Sequence, residues 1–255
     1  MFSSIFVTDK FKNKRLDIIL VETNSVQSRQ KAFSLILNGN VFIGQEKLVK
    51  PGQVIKKNQI IRIRSNRNTW VSRGGVKLEK AINFFNVLVK GKVCLDLGCS
   101  TGGFSDVLLK NDANKIFAVD VGYGQFDWRL RNSKKIVLFE KTNARYLTSE
   151  IIPDKIDLIV CDVSFISLKK VIEPCIKLLK NKFQIISLIK PQFETEKRFV
   201  RKGGIIKDKI IHKQVCDDIY SWFDKLLKPD FMKIIDSPIM GQKGNKEFLI
   251  YLEAK

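Results

Sequence analysis

Residues 93–104 read VCLDLGCSTGGF: an apolar run that carries one acid, Asp96, passes into a Gly-rich turn, and continues as the apolar start of a helix. A short apolar run closed by glycines reads as a strand buried in a sheet, and a second such run, KIFAVD at 115–120, completes a strand-turn-helix-strand unit. Gly98, Gly102 and Gly103 lack a Cβ, so the backbone can turn sharply and come close to a ligand. Ser100 and Thr101 can bond that ligand or cap the helix that follows. Asp120 stands 24 residues after Asp96, at the tip of the second strand. From that tip a carboxylate accepts bonds from both ribose hydroxyls of an adenosine.

Two cofactor classes suit such a unit. Dinucleotide folds carry G-x-G-x-x-G, which lets a helix N-terminus hold pyrophosphate. Here Asp96-x-Gly98 places a carboxylate just before the turn, where it repels phosphate and tolerates a cationic sulfonium. S-adenosylmethionine is therefore favoured over NAD.

Composition narrows the partners. The chain has 255 residues, enough for one medium domain and a small one. Against 26 Asp and Glu stand 46 Lys and Arg, a net charge of +20 that points to an anionic partner. Residues 1–80 hold 16 of the basic residues and five acids, so more than half of the excess is clustered in the first third, as expected of a nucleic-acid-binding segment. The five cysteines form no C-x-x-C pair, which fits reduced thiols in a cytosol and gives no reason to expect a metal. One histidine, His212, leaves a Ser-His-Asp mechanism nothing to build on. No apolar run approaches the roughly 18 residues of a membrane span, and the amino-terminal residues carry no signal-like apolar region. A soluble, cytoplasmic protein without membrane insertion is expected.

Along the chain, helical spacing at 15–21, a helix opened by Ser28 and stopped at Gly39, and strands at 41–44 and 59–64 outline a small α+β module at residues 1–66. The polar SNRNTWV at 65–71 marks a boundary, with residues 67–71 read as linker. From residue 72 to 255 a helix over 75–85 precedes strands at 93–97, 115–120, 136–140, 156–161, 183–189, 231–236 and 247–252. Strands alternating with helices imply a doubly wound, mostly parallel seven-stranded sheet, with the last two strands able to pair antiparallel.

Two resemblances attach to these segments. The run RLDIILVE, the helix start Ser28-Arg29-Gln30-Lys31-Ala32, Asn38-Gly39-Asn40-Val41 and Lys50-Pro51-Gly52 resemble the small S4-like RNA-binding domain shared by a ribosomal small-subunit protein, pseudouridine synthases and tyrosyl-tRNA synthetases. That resemblance places Arg15, Arg29 and Lys31 toward RNA phosphates. The second segment carries SRGGVKLEKA (72–81), LDLGCSTGGF, IVCDVSFISL (159–168), SLIKPQFE (187–194) and GNKEFLIYL (244–252). In this order they resemble the TlyA-type, FtsJ-like RNA 2′-O-methyltransferases, also labelled hemolysins, over nearly the whole chain. The resemblance implies a Rossmann-like class I methyltransferase fold that uses S-adenosylmethionine, with ribosomal RNA or ribosomal subunits as partner and cytidine riboses as the usual targets.

It also implies a catalytic tetrad at Lys77, Asp162, Lys190 and Glu247. The cofactor is expected against Asp96, Gly98, Ser100, Thr101, Gly102, Gly103 and Phe104, with Asp120 on its ribose and Val121 and Asn143 near the adenine. Asn143 departs from the Asp that many such enzymes carry there. Phe165, Gln192, Phe193 and Asn245 match the family too, as acceptor-pocket or packing residues. A hydroxyl is a poor nucleophile, so the site must align an in-line attack and help remove one proton. An ordinary lysine is protonated at neutral pH, and Lys190 is assigned as base or as hydroxyl steerer. Amino-group methyltransferases carry an Asn/Asp-Pro-Pro-aromatic turn where this chain has Asp162-Val163-Ser164-Phe165, and pyrimidine C5 enzymes need a Pro-Cys where Cys161 has no proline. The alternatives left open are a membrane-active hemolysin and a non-catalytic RNA-binding protein. Deleting residues 1–66 should leave a cofactor-binding domain with most RNA affinity lost and a shallower slope of log affinity against log salt, measured by titration with ribosomal RNA fragments.

Overall fold

The computed structural model describes all residues except 1, 27, 65–69, 201–202 and 242–243. The chain divides into two compact units, Met1–Arg67 and Asn68–Lys255. The expected boundary at 66/67 and linker residues 67–69 fall outside the described residues. Trp70 and Val71 are not linker: Trp70 is buried in the second unit, its indole Nε1 donating to Glu79 at 3.1 Å, and the Val71 N–H donates to Asp106 at 2.9 Å. A buried indole needs an acceptor for its N–H, and Glu79 supplies one.

The first unit contains β1 (Phe2–Phe6), α1 (Leu16–Glu22), α2 (Arg29–Leu37), β2 (Val41–Ile43), β3 (Glu46–Leu48) and β4 (Ile60–Arg64). Its sheet is antiparallel in the order β1-β4-β2-β3. Ser28 caps α2, accepting from the Lys31 N–H at 3.3 Å. Leu16, Ile19, Leu20, Ala32 and Ile36 from the helices pack on Val41, Leu48, Ile61 and Ile63 of the sheet. Strands β1 and β3 escape the sequence reading, because FSSIF has serines at its centre and EKL is only three residues long.

The second unit runs α3 (Gly74–Phe85), β5 (Val93–Leu97), α4 (Gly103–Lys110), β6 (Lys115–Val119), α5 (Trp128–Arg131), β7 (Ile136–Phe139), β8 (Ile156–Cys161), α6 (Leu168–Ile172), β9 (Leu179–Ile189), α7 (Pro191–Glu194), α8 (Lys209–Leu227), β10 (Phe231–Asp236) and β11 (Phe248–Ala254). The strand order is β10-β11-β9-β8-β5-β6-β7. From β9 to β7 every pair is parallel, while β11 runs antiparallel to both β9 and β10. Successive side chains alternate across a strand, and here both sets are apolar. Leu95, Leu97, Phe117, Val119, Ile159 and Cys161 pack on the side of α6 and α8. Cys94, Ile116, Ala118, Leu158 and Val160 pack with α3 and α4 residues. Helices on both faces explain why these strands read as continuous apolar runs. Strand β9 begins at Leu179, ahead of the expected 183: residues 180–182 are exposed and polar and give no apolar strand signal, while Lys180 pairs with Asp157 at 2.7 Å.

This order puts the topological switch point at β5, whose neighbours β6 and β8 are reached by crossovers in opposite directions, and ligands bind at the carboxyl edge of such a point. Phe223 on α8 is wholly buried in the core on that face. Its replacement by alanine should cost about 3–5 kcal/mol, seen as a lower urea midpoint with an unchanged slope.

Candidate active site

A cavity of about 420 Å3 opens at the carboxyl edge of the sheet. One wall is the turn after β5, with Gly98, Ser100, Thr101, Gly103 and Phe104; the other holds Lys77, Asp162, Lys190 and Glu247. Each of the four reaches it from a different element. Lys77 projects from α3, and Asp162 follows β8 directly. Lys190 follows β9 and precedes Pro191, the first residue of α7. A residue before proline is confined to extended backbone, so Lys190, at φ −114° and ψ 97°, continues the strand into the cavity. Glu247 precedes β11, and since Phe248 pairs antiparallel with Ile189, it arrives opposite Lys190.

Their charges alternate. Lys77 Nζ lies 2.6 Å from Glu247 Oε2 and 3.6 Å from Asp162 Oδ2. Lys190 Nζ is 2.5 Å from Asp162 Oδ1, a charge contact rather than an aligned hydrogen bond, and donates to Ser164 Oγ at 2.8 Å. Lys77 and Lys190 are each 7 % exposed and Glu247 3 %, so only the edge of the group around Asp162 faces solvent. Two cations and two anions in one chain leave no uncompensated charge, the condition for keeping ions away from water.

Neighbouring segments hold this chain in place. The Glu194 carboxylate accepts from Ser167 Oγ at 2.6 Å and from the Leu168 N–H at 2.7 Å, clamping the 162–168 loop to α7. Burial pushes Glu194 upward against those two bonds. On this loop Phe165 adopts φ +66°, stands 87 % exposed and rests against the Phe193 ring at 5.1 Å between centroids. The 237–241 segment folds over Glu247: Ser237 N–H donates to its carbonyl at 3.0 Å, and Arg73 Nη2 donates to Met240 O at 3.0 Å. Gly241 must lack a side chain, because a Cβ there would collide with the Glu247 carboxylate. Ser72, Arg73, Ser164, Ile239, Met240 and Gly241 line the cavity without having been singled out in the sequence. Of these, only Ser72, Arg73 and Ser164 lie within motifs already noted.

At the other wall, Gly98 has φ +79°, and a Cβ would sit 2.9 Å from the Asp162 backbone oxygen. The turn therefore touches the end of β8. Asp96 lies beneath it, wholly buried, accepting from Ser105 Oγ at 2.6 Å, with Oδ1 left without a partner. Burial pushes its carboxyl up to about 7, against the opposing Ser105 bond. It supports the turn rather than lining the cavity. Gly102 likewise faces Leu130 and Phe126, not the cavity. Asp120 lies beside the turn: its oxygens accept from Ser100 N–H at 2.8 Å and Gly122 N–H at 2.7 Å, each keeping a lone pair. Val121 is 70 % exposed, and the Asn143 oxygen accepts from the Arg145 N–H at 3.1 Å; neither these two nor Asp120 is part of the cavity wall. With the Ser100 N–H engaged by the Asp120 carboxylate, this turn fits a cationic, hydroxyl-bearing ligand better than a pyrophosphate.

Asn245 packs rather than lining the cavity, bonding Gly204 O at 2.8 Å and Ile206 N–H at 3.0 Å. Gln192 and Phe193 line it. Cys161 is wholly buried, and burial pushes its thiol up to about 12, which removes it as a nucleophile. In the first unit, buried Asp17 pairs with both Arg15 at 3.0 Å and Arg29 at 2.8 Å. Hydrogen bonding from Arg15 leads the causes that lower the Asp17 carboxyl. Two guanidiniums on one carboxylate leave a net positive charge, both being about half exposed, and Lys31 is exposed on α2.

A doubly wound sheet with an antiparallel strand inserted beside β9, and a cavity at its switch point, defines a Rossmann-like methyltransferase fold. Residues 70–254 match the model of the FtsJ-like methyltransferases, and the chain belongs to that family. It is 41 % identical over 240 residues to Hemolysin A of Brachyspira hyodysenteriae, covering 93 % of this chain and 98 % of that one. It is 37 % identical over 251 residues to the 16S/23S rRNA (cytidine-2′-O)-methyltransferase TlyA of Mycobacterium tuberculosis, covering 96 % and 91 %. A solved structure described as a candidate hemolysin from Streptococcus thermophilus superposes with a TM-score of 0.73 at 32 % identity, covering 96 % of this chain and 90 % of that one. Among the described residues no helix is long and apolar enough to cross a membrane.

The raised Asp96 carboxyl makes stability pH-dependent. The native state holds a proton there that the unfolded chain has released, so this contribution is full below about pH 4 and is lost as pH rises toward 7. Asp96→Asn should remove that loss: its melting temperature relative to the unaltered chain should be higher at pH 8 than at pH 5, and a pH-independent difference in calorimetry would contradict the assignment.

Proposed function

We propose that this chain transfers the methyl group of S-adenosylmethionine to a ribose 2′-hydroxyl of ribosomal RNA, with cytidine as the modified nucleoside. The observation that carries this reading is the buried Lys77-Asp162-Lys190-Glu247 chain opening into one cavity with the Gly98–Phe104 turn. The names of relatives such as the M. tuberculosis enzyme support the substrate.

The turn would hold the methionine portion of the cofactor, Asp120 its ribose hydroxyls, and Val121 and Asn143 its adenine. When bound, the sulfonium supplies an already activated methyl group, so what remains for the protein is alignment and one proton. Lys190 has three N–H donors; one bonds Ser164 Oγ, its charge faces Asp162, and the ammonium would also hold the acceptor oxygen. The proton of that hydroxyl would pass to the Asp162 carboxylate beside Lys190 as the ribose oxygen takes the methyl group and the methyl–sulfur bond breaks, leaving a neutral thioether. Lys77 and Glu247 fix Asp162 from behind. Phe165, exposed at the cavity mouth against Phe193, offers a ring on which the base of the target nucleotide stacks. The first unit supplies RNA affinity through Arg15, Arg29 and Lys31.

Lys190→Ala and Asp162→Ala should each lower methyl transfer by roughly 10²–10⁴-fold, with cofactor affinity by calorimetry close to that of the unaltered chain. The groups act on the hydroxyl in the transition state, so the loss belongs in turnover. The product should resist alkaline cleavage at the modified ribose. A methyl group found on a base by mass spectrometry would overturn the reading.

A further inference from the structure

A second concavity, of about 670 Å3, lies between α8 and the hairpin edge formed by β10 and β11. It meets the catalytic cavity at Met240, which lines both. Its rims are basic. Lys209 and Lys213 stand one turn apart on α8 and so share a face. Lys207 precedes that helix, and Lys246 faces it from the start of β11. Against these four lysines the lining contains one acid, Asp236, which pairs with Lys246 at 3.0 Å. Lys213 pairs with Asp217 at 2.9 Å along the helix. Lys207 and Lys209 are exposed and make no ion pair among the described residues. Between the lysines the lining is mostly apolar, with Ile206, Ile234 and Phe248 beside the His212 ring and Cys216.

We propose that this groove is an RNA track: the strand that presents its ribose to the tetrad continues past Met240 into the groove, with phosphates on the lysines and base faces toward the apolar floor. The inference rests on the ribose-methylation reading above. Three features select RNA over an acidic peptide. The groove shares Met240 with the cavity in which the acceptor ribose must lie. Four lysines border it, as a phosphate backbone requires, and its apolar lining suits the π-faces of bases whatever their sequence. The Lys246–Asp236 pair gives the rim beside β10 a weaker positive character than the α8 rim, so the backbone lies on the α8 side.

The test uses the full chain carrying Lys207→Gln, Lys209→Gln and Lys213→Gln together, all exposed positions outside the tetrad and the cofactor turn. Lys225→Gln, on the last turns of the same helix and outside the groove, controls for a charge removed elsewhere on α8. The probes are a single-stranded RNA oligonucleotide and a ribosomal RNA fragment, with binding followed by fluorescence anisotropy across a salt series and methyl transfer measured in parallel. Three lost phosphate contacts should reduce the slope of log affinity against log salt by about 2, at roughly 0.7 for each contact on a single strand. Affinity at low salt should fall at least about tenfold. KM for RNA should rise while kcat and cofactor affinity stay unchanged, and Lys225→Gln should behave as the unaltered chain. Equal slope and affinity in the triple variant, with methylation by the unaltered chain intact, would overturn the track alone. Absence of ribose methylation by the unaltered chain would instead overturn the reading on which it rests. Displacement of polyglutamate but not of RNA by the substitutions would assign the groove to an acidic polypeptide and likewise overturn the track.

Discussion

The second unit is organised around a single electrostatic constraint: four ionised side chains removed from water must compensate one another in a fixed alternation. Glu247, Lys77, Asp162 and Lys190 meet that requirement as a chain of contacts of 2.6, 3.6 and 2.5 Å. Removing any one member strands a charge where the protein cannot solvate it, which is far costlier than the pair is worth. Geometry follows from this. Asp162 and Lys190 arrive on parallel strands, and Glu247 completes the chain because β11 runs the other way and begins where β9 ends. The inserted antiparallel strand is thus what brings a fourth ionisable group to the active edge of the sheet.

The cofactor turn is coupled to this chain by packing. Gly98 approaches the backbone of Asp162 so closely that no side chain fits between them, and Asp96 beneath the turn is held by Ser105 from α4. The two ends of the cavity differ in kind. At the turn, the Asp120 carboxylate and the engaged Ser100 N–H suit a cation; at the four-residue chain, the Lys190 ammonium suits a hydroxyl oxygen.

In the first unit the same economy of charge takes another form. Buried Asp17 pins Arg15 and Arg29, leaving their outer faces exposed and the pair positive. The clustered basic residues of the first third of the chain are thereby given at least one fixed position rather than a diffuse field, and fixed guanidiniums lose less freedom on meeting a phosphate.

The sequence by itself determined the alternation of strands and helices in the second unit and the Gly98 turn, and it named the four charged residues that the structure brings together. These depend on local apolar runs, on glycines and on motif order, all written within short stretches of chain. It also located α2 through Ser28 and the antiparallel partnering of the last strands. It did not disclose β1 or the early start of β9, whose polar residues are accommodated by strands lying far away in sequence, or β3, a three-residue edge strand paired with β2. Nor did it distinguish Asp96 and Gly102, which support the turn from within, from Thr101 and Phe104, which line the cavity. Asn245 fell on the packing side of the two roles its motif allowed, and Ser164, Gly241 and Glu194 gained meaning only from their neighbours. Which atoms meet, which face water and which charges compensate are properties of contacts between residues as far apart as Lys77 and Glu247. Such contacts exist only once the sheet has closed around them.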